Sequence, residues 1–238
     1  MAGGYYTALS GMRTRADALD RIASDIANAS TVGYKTERNG TREAPRPSFG
    51  DTLQSAIDVT NGVPRIDFRA GAVTTTGRSL DVAIQGHGFF VADTPQGPRY
   101  TRNGRLQRNA DGVLANDEGD PILGTNGPIK IGQDEIAIDP DGTVREGGKI
   151  AGTLTVVDFP ADATFTRGGG TRFIASQPPV TIEHPAVLPG NLEQSNASLV
   201  ERVAELSEIS RNYQTLLKGV QVLMNDIDRG AITELGRR

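Results

Sequence analysis

Ser79, Asp81 and His87 are three residue types that together could do acyl transfer. In that chemistry an imidazole takes the hydroxyl proton while a carboxylate orients the imidazole. The spacing speaks against it. Residues two apart on a strand share a face, so Ser79 and Asp81 would stand side by side rather than on opposite sides of the ring. Gly86 and Gly88 flank His87 as they would in a turn. The second of the two histidines, His184, precedes Pro185 and has no partner in its sequence context. Both read as loop residues, and no catalytic residue is expected.

Other candidate chemistry ends the same way. Asp139-Pro140-Asp141-Gly142 and Asn109-Ala110-Asp111-Gly112 begin like calcium loops, but the twelfth loop position, where such loops need a glutamate, holds Ile150 and Asp120. Gly168-Gly169-Gly170 lacks the Lys-Ser/Thr that completes a phosphate loop and reads as a flexible loop tip. The chain's 29 acids offer many carboxylate pairs, none in a context that raises a pKa. Asn28-Ala29-Ser30, Asn39-Gly40-Thr41 and Asn196-Ala197-Ser198 match the N-glycosylation pattern, and two of them sit where a helix boundary favours Asn and Ser. No cofactor and no metal are expected, and the chain is read as non-enzymatic.

Composition narrows the remaining classes. The 238 residues carry 29 glycines, no tryptophan, no cysteine and a net charge of −4. That charge leaves no basic footprint for nucleic acid. The missing cysteines remove disulfides and thiolate sites. The N-terminal MAGGYYTALSGM has no signal-like apolar core, and no apolar run approaches the ~18 residues of a membrane span. A soluble chain without a cleaved signal or membrane insertion is the expectation.

The elements that must position any site are of two kinds. Tyr5, Leu9, Met12, Ala16, Leu19, Ala23 and Ile26 step by four and three, the spacing of a heptad seam. Leu199, Val203, Leu206, Ser210, Tyr213, Leu217, Val220, Met224 and Ile227 repeat the pattern, and Ser198-Leu199-Val200-Glu201 has capping-box spacing at its head. A helix over about 198–235 would be roughly 55 Å long, longer than a compact domain. Its apolar face therefore needs another surface. Such helices are marginal without that partner, so the ends are expected to order on assembly.

Between them the pattern turns to β. Leu80–Gln85 alternates with period two, and Ile129/Ile131, Ile136/Ile138 and Leu154/Val156/Phe159 give further short runs. Asn103-Gly104, Asp111-Gly112, Glu118-Gly119, Asn126-Gly127 and Asp141-Gly142 supply turn dipeptides. Residues 36–70, rich in Pro and Gly, read as an extended arm with a short helical turn near 51–59. The predicted fold class is α+β: terminal helices paired as a coiled-coil-like domain around a central all-β domain of short antiparallel strands. The expected boundaries are 1–35, 36–70, 71–190 and 191–238. Asn28, Thr31, Gly33, Tyr34 and Lys35 would form the joint between the N-terminal helix and the arm towards the β-domain, with Gly33 permitting the bend.

Four stretches carry a family resemblance. Ala27-Asn28-Ala29-Ser30-Thr31-Val32-Gly33-Tyr34-Lys35 resembles the Ala-Asn-x-x-Thr-x-Gly-Phe-Lys of the bacterial flagellar rod and hook family, with Tyr in the Phe position. Leu80–Phe90 resembles that family's β-domain signature, and Tyr100-Thr101-Arg102-Asn103-Gly104 follows in the expected place. Leu192-Glu193-Gln194-Ser195-Asn196 is similar to its Leu-Glu-x-Ser-Asn, with Ala197 replacing the usual Val. The resemblance implies a structural subunit of the periplasmic basal-body rod, polymerising through its terminal helices into a torque-transmitting axial tube. It implies as partners further copies of the chain, other flagellar rod proteins and the flagellar type III export apparatus, which would explain the absent signal. The length and the Ala231–Arg237 ending look more like the proximal-rod type than the distal-rod type. Outside the family, a β-domain binding module dimerised by a coiled coil is the alternative.

Overall fold

A computed structural model describes residues 2–39 and 64–235, with side chains described for most of 11–38 and 64–221. The chain divides into two compact units. One contains residues 1–27, 39–64 and 198–238; the other contains 28–38 and 65–197. The helical turn expected near 51–59 lies outside the described residues.

The first unit holds helix α1, Ala2–Ala27, and helix α2, Leu199–Leu235. The head of α2 is capped as its sequence demands, with Ser198 Oγ accepting from the Glu201 amide at 3.4 Å. The expected coiled-coil-like pairing is not what these helices show. Among the residues of α1 whose side chains are described, Gly11, Ile22 and Asp25 are buried, while Ala23, a seam position, is exposed. The covered line is thus displaced from the heptad seam and passes through a carboxylate. Along α2 no described residue is buried, and Leu199 and Val203 are 52% and 46% exposed. A knobs-into-holes seam needs both apolar lines enclosed. Among the described residues an ion pair joins the helices, with Arg202 Nη1 4.0 Å from Asp25 Oδ2 and Glu205 on the same guanidinium nitrogen at 2.6 Å.

The second unit is built on a six-stranded antiparallel sheet. Its strands, in spatial order, are Phe165–Arg167, Arg172–Ala175, Gly97–Thr101, Phe89–Thr94, Val156–Asp158 and Val180–Thr181. Because alternate side chains leave opposite faces of a strand, Phe89 and Phe90 serve different cores. Phe90, Ala92 and Val156 join Val82, Ile84, Leu106, Leu114, Ile122 and Leu154 on one side. Phe89, Val91, Tyr100, Val157 and Phe173 join Phe68, Phe159 and Phe165 on the other. The second core is aromatic, with edge-to-face contacts such as Phe68 to Phe173 at 5.1 Å and Tyr100 to Phe159 at 4.7 Å. Edge-to-face geometry sets the positive rim of one ring on the negative face of the next.

Four of the five turn dipeptides are turns, with Gly112, Gly119, Gly127 and Gly142 at φ between 71° and 101°. Asn103-Gly104 is not. Both residues are buried, and a Cβ on Gly104 would lie 1.6 Å from the Val82 carbonyl oxygen. Gly104 is there because another strand passes where its side chain would be. The Gly168–Gly170 tip is likewise no loose loop. It closes the hairpin between Phe165–Arg167 and Arg172–Ala175, and Arg172 fixes it through Glu118 at 2.7 Å and Asp120 at 2.6 Å.

Candidate functional site at the joint

Helix α1 stops at Ala27, and the turn after it is held locally. The Thr31 amide donates to the Asn28 carbonyl, and the Thr31 hydroxyl to Asn28 Oδ1, each at 3.1 Å. Gly33 follows at φ 70°, a left-handed conformation that costs glycine nothing. A Cβ there would meet the backbone of Asn103 at 2.4 Å and of Arg102 at 2.7 Å. The glycine thus does more than bend the chain; it lets residues 32–35 lie against the Tyr100–Gly104 stretch.

From Gly33 onward the chain is laced to the stretch that precedes α2. The Gly33 amide donates to the Glu193 carbonyl at 2.8 Å, and the Asn196 amide to the Tyr34 carbonyl at 3.3 Å. Asn196 Oδ1 accepts from the Thr36 amide at 2.8 Å, and its Nδ2 donates to the Asp67 carbonyl at 2.7 Å. Asn196 is therefore a backbone bridge, not the helix cap its sequence position suggested.

At the centre sits a buried charge cluster. Lys35 Nζ lies 2.5 Å from Glu193 Oε1, with the lysine side chain fully enclosed, and it also donates to the Arg69 carbonyl at 2.8 Å. The Gly71 amide donates to the same Glu193 oxygen at 3.0 Å. Arg102, 4% exposed, faces Glu193 Oε2 at 3.6 Å and donates Nη2 to the Gly86 carbonyl at 2.5 Å. Burial holds both the Lys35 ammonium and the Arg102 guanidinium below their usual ranges, and Glu193 opposes that shift in each. The energetic reason is plain. A charge taken out of water costs several kcal/mol, and one carboxylate here serves two cations and a backbone amide.

The outer flank is closed by Arg167. Its Nη2 donates to the Tyr34 hydroxyl at 3.1 Å and the Lys35 carbonyl at 2.6 Å, its Nε to Glu37 at 2.7 Å, and its guanidinium lies 4.6 Å from the Tyr34 ring centre. The arrangement offers no nucleophile, base or open metal shell. His87 and His184 are exposed, and no group of His, Asp and Glu that could hold a metal occurs among the described residues. What it can do is hold two chain segments rigidly together.

All four sequence motifs converge on this cluster. Gly33 lies against Arg102 and Asn103, Arg102 donates to the Gly86 carbonyl, and Gly33, Tyr34 and Lys35 bond to Glu193 and Asn196. Comparison with known proteins accounts for that convergence. A family model described as flagella basal body rod protein matches residues 6–35, and one described as flagellar hook protein FlgE/F/G D1 domain matches residues 83–146. The chain is 32% identical to the flagellar basal-body rod protein FlgF of Caulobacter vibrioides, over 100% of this chain and 99% of the relative.

The chain belongs to the flagellar basal-body rod protein family.

Two further relatives frame its place there. FlgF of Rhizobium meliloti is 30% identical over 99% of both chains, and the rod protein FlgG of Bacillus subtilis is 29% identical over 90% of this chain and 92% of its own. For a rod protein the sites of interest are joints and assembly faces. Of the seam residues expected to assemble, Met12, Leu19, Ile26, Leu206, Tyr213 and Leu217 are half-buried and Leu199 and Val203 exposed. Tyr5, Leu9, Val220, Met224 and Ile227 lie on the helices, but their side chains are outside the described residues. The joint residues Gly33, Tyr34 and Lys35 are buried, and Asn28 and Thr31 half-buried.

Sequence reading assigned no role to Arg102, Glu193 or Arg167. The first two carried a signal, a charge embedded in a short motif otherwise made of turn and apolar residues. Arg167 carried none.

Proposed function

We propose that this chain is a structural subunit of the flagellar basal-body rod, of the FlgF type, placed in the proximal rod in the periplasm. It joins copies of itself and other rod proteins through the apolar lines of α1 and α2, and the resulting tube transmits torque. The observation that carries this reading is the uncovered apolar surface at the head of α2. Leu199, Val200 and Val203 are 52%, 81% and 46% exposed. Burying each against a neighbouring subunit contributes about 1.5–3 kcal/mol. Export through the flagellar type III apparatus fits a cysteine-free chain, which crosses into an oxidising space with no thiol to misjoin. No helix among the described residues is long and apolar enough to cross a membrane.

The test uses a host lacking its own copy of the gene. Wild-type chain should enter purified basal bodies, whereas Val203→Asp and a chain deleted for 198–238 should be exported or accumulate but not incorporate. A charge on the buried face costs several kcal/mol unless paired. Normal incorporation of both variants refutes assembly through α2. Subunit-specific labelling of the same basal bodies then fixes axial position. Label at the end nearer the cell supports the FlgF-type placement, and label next to the hook supports the FlgG type instead.

A further inference from the structure

Tyr34 stands where the resembling motif has Phe, and its hydroxyl is engaged. Arg167 Nη2 donates to it at 3.1 Å, while the guanidinium stacks 4.6 Å from the ring centre. The same side chain donates to the Lys35 carbonyl and to the Glu37 carboxylate. One arginine thus holds Tyr34, Lys35 and Glu37, just beyond the joint motif's glycine, by a ring face, a hydroxyl, a carbonyl and a carboxylate. Only a planar fork of donors satisfies all of these at once.

The support behind Arg167 is stiff. It ends the strand Phe165–Arg167, whose partner strand pairs it with Phe173, a fully buried residue of the aromatic core. Phe165, two residues earlier on the same face, packs into that core 4.6 Å from Phe68. The tip beyond Arg167 is tied by Arg172 to Glu118 and Asp120. Neither end of the guanidinium's support is free to swing.

We infer that Arg167 is the positioning residue that locks residues 34–37 onto the β unit, so that the two laced segments leading to α1 and α2 behave as one stiff strut. The lock stands on the geometry of this chain alone; its value to a torque-carrying rod rests on the function proposed above. Tyr34 deepens the lock, since its hydroxyl gives Arg167 a second hold that a phenylalanine cannot.

The test is amide hydrogen exchange on the purified full-length chain, with incorporation and swimming scored in the host lacking its own copy. Arg167→Met keeps the stem over Tyr34 and removes the donors. It should speed exchange at the Thr36 amide and in the strand Glu37–Asn39 by about tenfold, the equivalent of one charge-assisted hydrogen bond, while Phe89–Thr101 keeps its protection. Arg167→Lys should recover only part of that protection, because an ammonium is a point donor. Tyr34→Phe, which keeps the ring and the core intact, should give a smaller increase of about threefold. Unchanged exchange in Arg167→Met and Tyr34→Phe overturns the lock. Lost protection with normal incorporation and swimming overturns its role in the rod. Absence of the wild-type chain from basal bodies overturns the rod reading while leaving the exchange result to judge the lock.

Discussion

Lys35 and Glu193 face each other 2.5 Å apart across 158 positions of sequence, and neither side chain is more than 2% exposed. The ion pair closes the loop between the start and the end of the β unit. Removing Lys35 leaves the buried Glu193 with only the more distant Arg102 guanidinium at 3.6 Å and the Gly71 amide, and breaking a buried pair costs about 3–5 kcal/mol. Lys35→Met should therefore lower the urea midpoint of the β unit strongly, followed by circular dichroism. Replacing both residues together with apolar ones should cost less than the sum of the two single changes.

Gly104 and Gly77 separate two reasons for glycine. Gly77 has φ 72° but open space around its Cβ position; Gly77→Ala should cost only the left-handed penalty of about 1–2 kcal/mol. Gly104 has no positive φ, yet a Cβ would collide with the Val82 carbonyl. Gly104→Ala should fail to yield soluble folded protein, or unfold at markedly lower urea than Gly77→Ala.

The aromatic core makes a third expectation. Phe173 is fully buried, with rings of Phe68 at 5.1 Å and Phe89 at 6.2 Å. Phe173→Ala should destabilise the β unit by about 3–5 kcal/mol, measured by thermal or urea unfolding. It should also loosen Arg167, whose strand pairs with Phe173.

An acid limb follows from Asp141. Its Oδ1 accepts from the Thr143 amide at 3.0 Å, and that bond holds the carboxyl below its ordinary value. A depressed folded-state pKa stabilises above the ordinary aspartate value of about 3.9 and loses that contribution as pH falls through the folded-state value. Asp141→Asn retains a side-chain oxygen for the turn but no proton to bind. Its melting temperature should fall less steeply than wild type below about pH 4; parallel curves would refute the assignment.

What the residues announced on their own was local. The apolar spacing of Leu206, Tyr213 and Leu217 specifies a helix whatever surrounds it, and Ser198 with Glu201 specifies where it begins. Asp111-Gly112 and Asp141-Gly142 specify turns because a left-handed backbone is a property of the residue itself. Motif order was legible too, and with it the rod family.

Burial and long-range pairing were not, because they depend on what lies opposite. The heptad lines of α1 and α2 promised a seam, but burial follows the neighbour actually present, and among the described residues of α1 it is Ile22 and Asp25 that are covered most fully. Asn103-Gly104 has the letters of a hairpin turn, and only the passage of Val82 beside it makes that glycine a point of close approach. Arg167 sits in no motif, yet the sheet delivers it to Tyr34 and Glu37. Lys35, Arg102 and Glu193 were visible as letters within motifs. Their charges became a single buried cluster only when the chain brought distant segments into one low-dielectric space, where each ion must find its partner.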